Sequence, residues 1–170
     1  IDGTGEIGEY IRTGLKYQEF VDNFQQGTRI ATNRRQMRLD FTLTLPGLFE
    51  VGNIQRLADE LNVDILAKVI FTFTPDIIMS PLALPRKILN RFVDELIKNN
   101  NLGRALEDVL VQLKNRPNME EQFTNQYTTG MQKGKSRVHK LESIRNDKFT
   151  MRDILSKDKE ILHWWESIDA

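Results

Sequence analysis

The stretch Met37-Arg38-Leu39-Asp40-Phe41-Thr42-Leu43-Thr44-Leu45 alternates strictly between apolar and polar residues. Leu39, Phe41, Leu43 and Leu45 point one way, and Arg38, Asp40, Thr42 and Thr44 the other, which is the period of two of a β-strand. Pro46-Gly47 ends the strand. Residues 49–61 then place Val51, Ile54, Leu57, Ala58 and Leu61 at helical spacing, and Asn62-Val63-Asp64 closes the helix. Residues 65–73, Ile-Leu-Ala-Lys-Val-Ile-Phe-Thr-Phe, read as a second strand with a more continuous apolar run. A strand, a helix of roughly a dozen residues and a second strand make a βαβ unit, so the two strands are expected to be parallel.

Upstream, residues 1–14 read as a glycine-rich loop punctuated by Gly3, Gly5, Gly8 and Gly14. Tyr17, Phe20, Val21 and Phe24 then form one apolar helical face over 16–26, and Thr28 to Gln36 reads as a polar connection. Downstream the organisation changes. Pro81 and Pro85 bracket a loop, and Pro85 suits the first turn of a helix. Helical spacing recurs over 86–98 (Ile88, Leu89, Phe92, Val93, Leu96, Ile97) and over 102–114 (Leu102, Leu106, Val109, Leu110, Leu113). Past Pro117, residues 119–145 read as a longer polar helical stretch weakened by Gly130 and Gly134. A short mixed segment, 149–155, precedes a terminal helix over 157–168 that carries Trp164 and Trp165. The fold class is therefore α/β, with a parallel βαβ portion followed by an all-helical C-terminal half.

Composition narrows the function. The 24 Lys and Arg balance 24 Asp and Glu, so no global field favours nucleic acid or an anionic membrane. No apolar run approaches the ~18 residues that span a bilayer. With no signal-peptide pattern at the start, the cytoplasm is the expected compartment. There is no cysteine, which excludes disulfides, thiolate zinc sites and a cysteine-ligated iron–sulfur cluster within these 170 residues. Lys133, Lys135, Arg137, His139 and Lys140 form a basic run that reads as a solvated helix face, since no aromatics are interleaved. Gly3-Thr4-Gly5-Glu6-Ile7-Gly8 has the spacing of a dinucleotide loop, but the acidic residue that should follow a second strand falls in a helix at Asp22.

Ile1-Asp2-Gly3, followed by Glu9-Tyr10-Ile11-Arg12-Thr13-Gly14 and the aromatic Tyr17, resembles the fourth-strand region of radical S-adenosylmethionine (SAM) enzymes. The strand Arg38 to Thr44 is similar to that family's fifth strand. Ile65 to Phe73, with Thr74-Pro75-Asp76 and Ala83-Leu84-Pro85, is similar to its sixth strand and exit. Leu141-Glu142-Ser143-Ile144-Arg145, Phe149 and Trp164-Trp165 resemble the end of a subgroup with a shortened C-terminal domain. The resemblance implies that residues 1–80 are the C-terminal portion of a partial (β/α) barrel and that 81–170 are a helical tail packed on it. The chain departs from the family in lacking its three-cysteine motif, so the resemblance implies a fragment, inactive alone. SAM and a 4Fe-4S cluster would then be cofactors of the parent enzyme, and neither is expected bound to this chain.

By the same resemblance, Asp2, Arg12, Thr42 and Thr44 would contact SAM, with Arg12 clamping its carboxylate. Asp40, Thr74 and Asp76 would contact an unknown substrate. A guanidinium offers two parallel donors to a carboxylate, which makes Arg12 the leading candidate. Each residue also has a plainer reading: Arg12 as a loop arginine, Asp2 as a turn residue before glycine, Asp40, Thr42 and Thr44 as solvent-facing alternation, and Thr74 and Asp76 as loop caps. The alternative for the whole chain is a non-catalytic binding or assembly module. An open sheet edge would call for cover, so a homo-oligomer is expected.

Overall fold

The computed structural model describes residues 1–70 and 72–169. Two strands, β1 (Arg38–Leu43) and β2 (Asp64–Val69), pair in parallel, in register from Arg38 opposite Asp64 to Leu43 opposite Val69. The helix between them, α3 (Val51–Leu61), starts from a 3-10 turn over Pro46–Glu50 and ends on Asn62 in the left-handed conformation. This is the expected βαβ unit. The alternation of β1 holds: Leu39, Phe41 and Leu43 are buried, whereas Arg38 and Asp40 are exposed. Leu39 packs with Leu57, Ala58, Leu61 and Val63, while Phe41 and Leu43 join the larger core.

The second strand is shorter than the apolar run suggests. It ends at Val69, because β1 ends at Leu43; Ile70 N–H still reaches the Leu43 carbonyl, at 3.4 Å. Thr72 and Phe73 therefore lie outside the ladder, and Phe71 lies outside the described residues. On the other edge of β1, the Ile1 nitrogen donates to the Asp40 carbonyl at 2.7 Å and Thr42 N–H donates to the Ile1 carbonyl at 3.1 Å. These bonds straddle Phe41 as in a parallel pair, so Ile1 continues the sheet by one residue.

The N-terminal stretch is not all loop. Helix α1 (Gly5–Ile11) buries Ile7, Gly8 and Tyr10, and α2 (Tyr17–Ile30) runs past the expected end at residue 26. Gly8 permits α1 to form here, since a Cβ would lie 2.5 Å from the Gly3 carbonyl oxygen. Helices α4 (Arg86–Asn99) and α5 (Arg104–Asn115) follow the expected spacing and pack together, with α5 against β2. The stretch 119–145 divides into α6 (Met119–Gln122), started by an Asn118–Glu121 capping box, and α7 (Tyr127–Arg145). Two short helices, α8 (Met151–Leu155) and α9 (Lys159–Glu166), complete the chain. The main buried cluster runs from Ile7 through Phe41, Leu89 and Leu110 to Trp164 and Trp165, so it draws on both halves of the sequence.

Gly130 and Gly134 lie inside α7, where it crosses the segment after β2. A Cβ on Gly134 would sit 2.8 Å from Ile78 Cβ and 2.9 Å from the Asp76 carbonyl oxygen, and one on Gly130 would strike the Pro75 carbonyl. Lys135 is not part of a solvated face. It is buried and donates to the Trp165 and Ile168 carbonyls at 3.0 and 2.6 Å, closing the C-terminal end of α9.

Helix propensity alone makes Gly130→Ala stabilising by about 1 kcal/mol. The close backbone reverses the sign, and overpacking costs about 1–3 kcal/mol instead. Thermal denaturation of Gly130→Ala is expected to show a lowered Tm; a raised Tm would show that α7 does not press on Pro75.

Candidate functional site

The site residues expected from the sequence fall into two separate groups. The first surrounds the start of the chain. Gly3 and the Pro46–Glu50 turn hold Asp2 in the interior, at 6% exposure. Arg12, in the turn between α1 and α2, closes on Asp2, with Nε donating to Oδ2 at 2.5 Å and Nη2 to Oδ1 at 3.4 Å. This pairing holds the Arg12 guanidinium firmly protonated, chiefly through the hydrogen bond to Asp2. The Arg12 side chain is more than half exposed, and its Nη1 corner lies outside the pair.

A cavity of about 360 Å³ opens beside this pair, lined by Ile1, Arg12, Leu15, Phe20, Asp40 and Lys68. Asp40 and Lys68 come from the exposed face of the sheet, where Lys68 Nζ approaches both Asp40 oxygens at 2.9 and 3.0 Å. The register places Thr42 opposite Lys68, so the lysine reaches back diagonally. Its hydrogen bond holds the Asp40 carboxyl below the usual carboxylate range, against a smaller opposing effect of burial. The cavity thus presents two cations, one carboxylate and an apolar wall.

Thr42 and Thr44 do not line this cavity. Thr42 is half-buried, and its N–H pairs with Ile1. Thr44 lies just past the strand, is 2% exposed, and accepts the Gly47 N–H on its hydroxyl oxygen at 2.9 Å, so it holds the turn.

The second group follows β2. Thr74 donates its hydroxyl to Asp76 Oδ1 at 2.5 Å, and Arg137 of α7 pairs with the other Asp76 oxygen. The Thr74 bond, with Arg137 behind it, holds Asp76 below the usual carboxylate range. A shallow cavity of about 370 Å³ lies here, lined by Thr74, Pro75, Asp76, Asn125, Gln126, Thr129, Gly130 and Lys133. It shares no lining residue with the first cavity. Thr74 and Asp76 thus pair with each other and with the tail, as loop caps do.

Two residues that the sequence reading missed matter most to the first group. Lys68 was one charge in an apolar run, and that isolation was its only signal. Glu50 was hidden in Gly47-Leu48-Phe49-Glu50-Val51; it is 2% exposed and accepts from Thr4 N at 2.9 Å, from the Thr4 hydroxyl, and from Asn53 Nδ2 at 3.0 Å. Both histidines are exposed. Among the described residues, no three His, Cys, Asp or Glu side chains are placed to share a metal ion, and no helix is long and apolar enough to cross a membrane. No protein-family model, curated protein or solved structure matches the chain.

Lys68→Met removes the donor that depresses Asp40. Carboxyl-carbon NMR titration is expected to find Asp40 below the ordinary aspartate value in the wild type and returned to it in the variant. The interaction is present above that ordinary value and is lost as pH falls through the depressed one. Identical titrations in the two proteins would show the pair to be absent in solution.

Proposed function

We propose that this chain supplies the later strands and the tail of a radical SAM enzyme's partial barrel, contributing side chains to SAM and substrate while another segment holds the cluster. One observation carries the reading: the Asp2–Arg12 pair and the cross-strand Asp40–Lys68 pair converge on a single cavity. The wound order of Ile1, β1 and β2 supports it, as does a sheet with one face under helices and the other polar and open. In an α/β barrel such an open face lines the interior, with the site at the carboxyl ends of the strands.

The cavity suits the amino-acid end of SAM. The free Nη1 corner of Arg12 and the Lys68 ammonium offer donors to a carboxylate. Asp40 offers an acceptor to the neighbouring ammonium, and Leu15 and Phe20 give the methylene chain an apolar wall. Asp2 orients Arg12 by holding its Nε edge. In the parent enzyme SAM would supply hydrogen-atom abstraction from substrate, the electron for its cleavage coming from a cluster held on another segment and methionine leaving, while Arg12, Lys68 and Asp40 would hold its amino-acid end. The cluster does not fit this chain, which has no thiolate to hold one. Thr74 and Asp76 line a different cavity from Arg12 and are the weaker part of the substrate-contact proposal.

A second reading, a non-catalytic assembly module, draws on the same open face. Parallel sheets are normally covered on both sides, and here Leu66 is 43% exposed among the charges. A second copy covering that face or the β1 edge would give a homodimer. Light scattering showing a monomer at high concentration excludes that cover.

The deciding experiment reads the coding sequence upstream of Ile1 and expresses the protein it specifies. A three-cysteine motif is expected, and the anaerobically reconstituted protein, given dithionite as reductant, should cleave SAM to methionine and 5′-deoxyadenosine, the added hydrogen coming from substrate or solvent components. Arg12→Lys, which keeps the charge and loses the fork, should raise KM for SAM about tenfold. An upstream frame without the motif sinks the radical SAM reading. An unchanged KM would return Arg12 to the role of a loop residue.

A further inference from the structure

The turn that carries Arg12 is held from the far end of the chain. Arg145, the last residue of α7, donates from Nη1 to the Tyr10 carbonyl and to the Thr13 hydroxyl oxygen, both at 3.0 Å. The two bonds fall on either side of Arg12, 135 and 132 residues away in sequence. The Arg145 guanidinium also lies 5.1 Å from the centre of the Tyr10 ring, and Asp147 pairs with it at 2.5 Å. One turn earlier on α7, Glu142 accepts the Tyr10 hydroxyl at 2.8 Å and the Met151 N–H at 2.7 Å on the same oxygen. Phe149 meets the Tyr10 ring edge-on, at 6.4 Å. Burial, and then the hydrogen bond to Glu142, keep the Tyr10 phenol protonated, so it remains a donor.

We infer that Arg145, seconded by Glu142, is a positioning residue: it fixes the Tyr10–Thr13 turn and thereby sets the direction in which Arg12 presents its free corner to the cavity. An arginine that served only to end α7 would satisfy the carbonyls of its own last turn. Arg145 gives one edge to Asp147 and both bonds of its Nη1 to another element, on either side of Arg12. The geometry stands on its own, and its consequence for ligand binding rests on the SAM reading.

The test has two readouts. In the 170-residue chain, Arg145→Gln is expected to speed amide hydrogen exchange about tenfold at Arg12 and Leu15, whose N–H groups bond the Gly8 and Arg12 carbonyls, whereas Arg152→Gln, which breaks a surface pair with Glu166 in the same tail, leaves these amides unchanged. Unchanged exchange at Arg12 and Leu15, or a rise spread evenly over α7 to α9, overturns the inference. If Arg145→Gln does not fold, Thr13→Val removes only the hydroxyl acceptor and is read the same way, with acceleration at Arg12 and Leu15 required. In the parent protein that carries the cluster, Arg145→Gln should raise KM for SAM about tenfold with kcat less affected, and Arg145→Lys should recover part of the loss. Faster exchange with an unchanged KM overturns the positioning role. Faster exchange in a parent that never cleaves SAM supports the grip on the turn and sinks only the SAM reading.

Discussion

A carboxylate buried to 2% exposure stands where β1 hands over to α3. No ion pair is found for Glu50 among the described residues; the Thr4 N–H, the Thr4 hydroxyl and the Asn53 amide satisfy it instead. A buried charge without such donors is costly, so the Thr4 segment has one place to go. The five residues that Glu50 completes touch β1, α1, α3 and α8. The turn at Pro46–Glu50 therefore fixes the sheet, the N-terminal loop and the tail against one another. Asp2 is drawn in by the same turn, because its own carbonyl lies against Gly47, at 2.9 Å from where a Cβ would stand.

That constraint explains how so small a sheet supports the fold. Two parallel strands bury little by themselves, and only the Leu39, Phe41 and Leu43 face is fully covered. The helical half supplies the rest of the core, and it is tied down by polar contacts of its own. Arg91 of α4 holds the Asp158 cap of α9 through both carboxylate oxygens, at 2.8 and 2.9 Å. Lys135 closes the other end of α9, its ammonium over the Trp165 ring at 5.4 Å. Burial lowers the Lys135 pKa, with Asp169 and Glu166 opposing that shift. Both ends of α9 are thus tied within the helical half, and α7 lies close to Pro75 and Ile78 through its two glycines.

The legible parts of the fold were those set by local periodicity. The alternation of β1 and the apolar stripes of α3, α4 and α5 read correctly, since each records which side faces a core. Features set by a distant partner did not. Four glycines in fourteen residues argued against α1, which forms because Gly3 and Gly8 approach each other. Ile70, Thr72 and Phe73 looked like strand, but a ladder extends only as far as its neighbour. Lys135 sat in a basic run, and only the fold shows that its ammonium meets the end of α9. Glu50, flanked by apolar residues, gave no sign that Thr4 was its partner.

The same limit governs the candidate site. Residue type marked Asp2, Arg12 and Asp40 as charges able to meet a ligand, but type cannot say whether a guanidinium clamps a ligand's carboxylate or one from its own chain. Here the geometry divides the group. Nε and Nη2 of Arg12 are committed to Asp2, and the Nη1 corner is left over. An arginine anchored along one edge loses little further freedom when a second carboxylate arrives, so the internal pair and an external one reinforce each other. The internal pair is thus what would make Arg12 a precise donor. Thr74 and Asp76 show the opposite division: Thr74 takes one Asp76 oxygen within the segment after β2, and Arg137 takes the other and holds α7 to that segment.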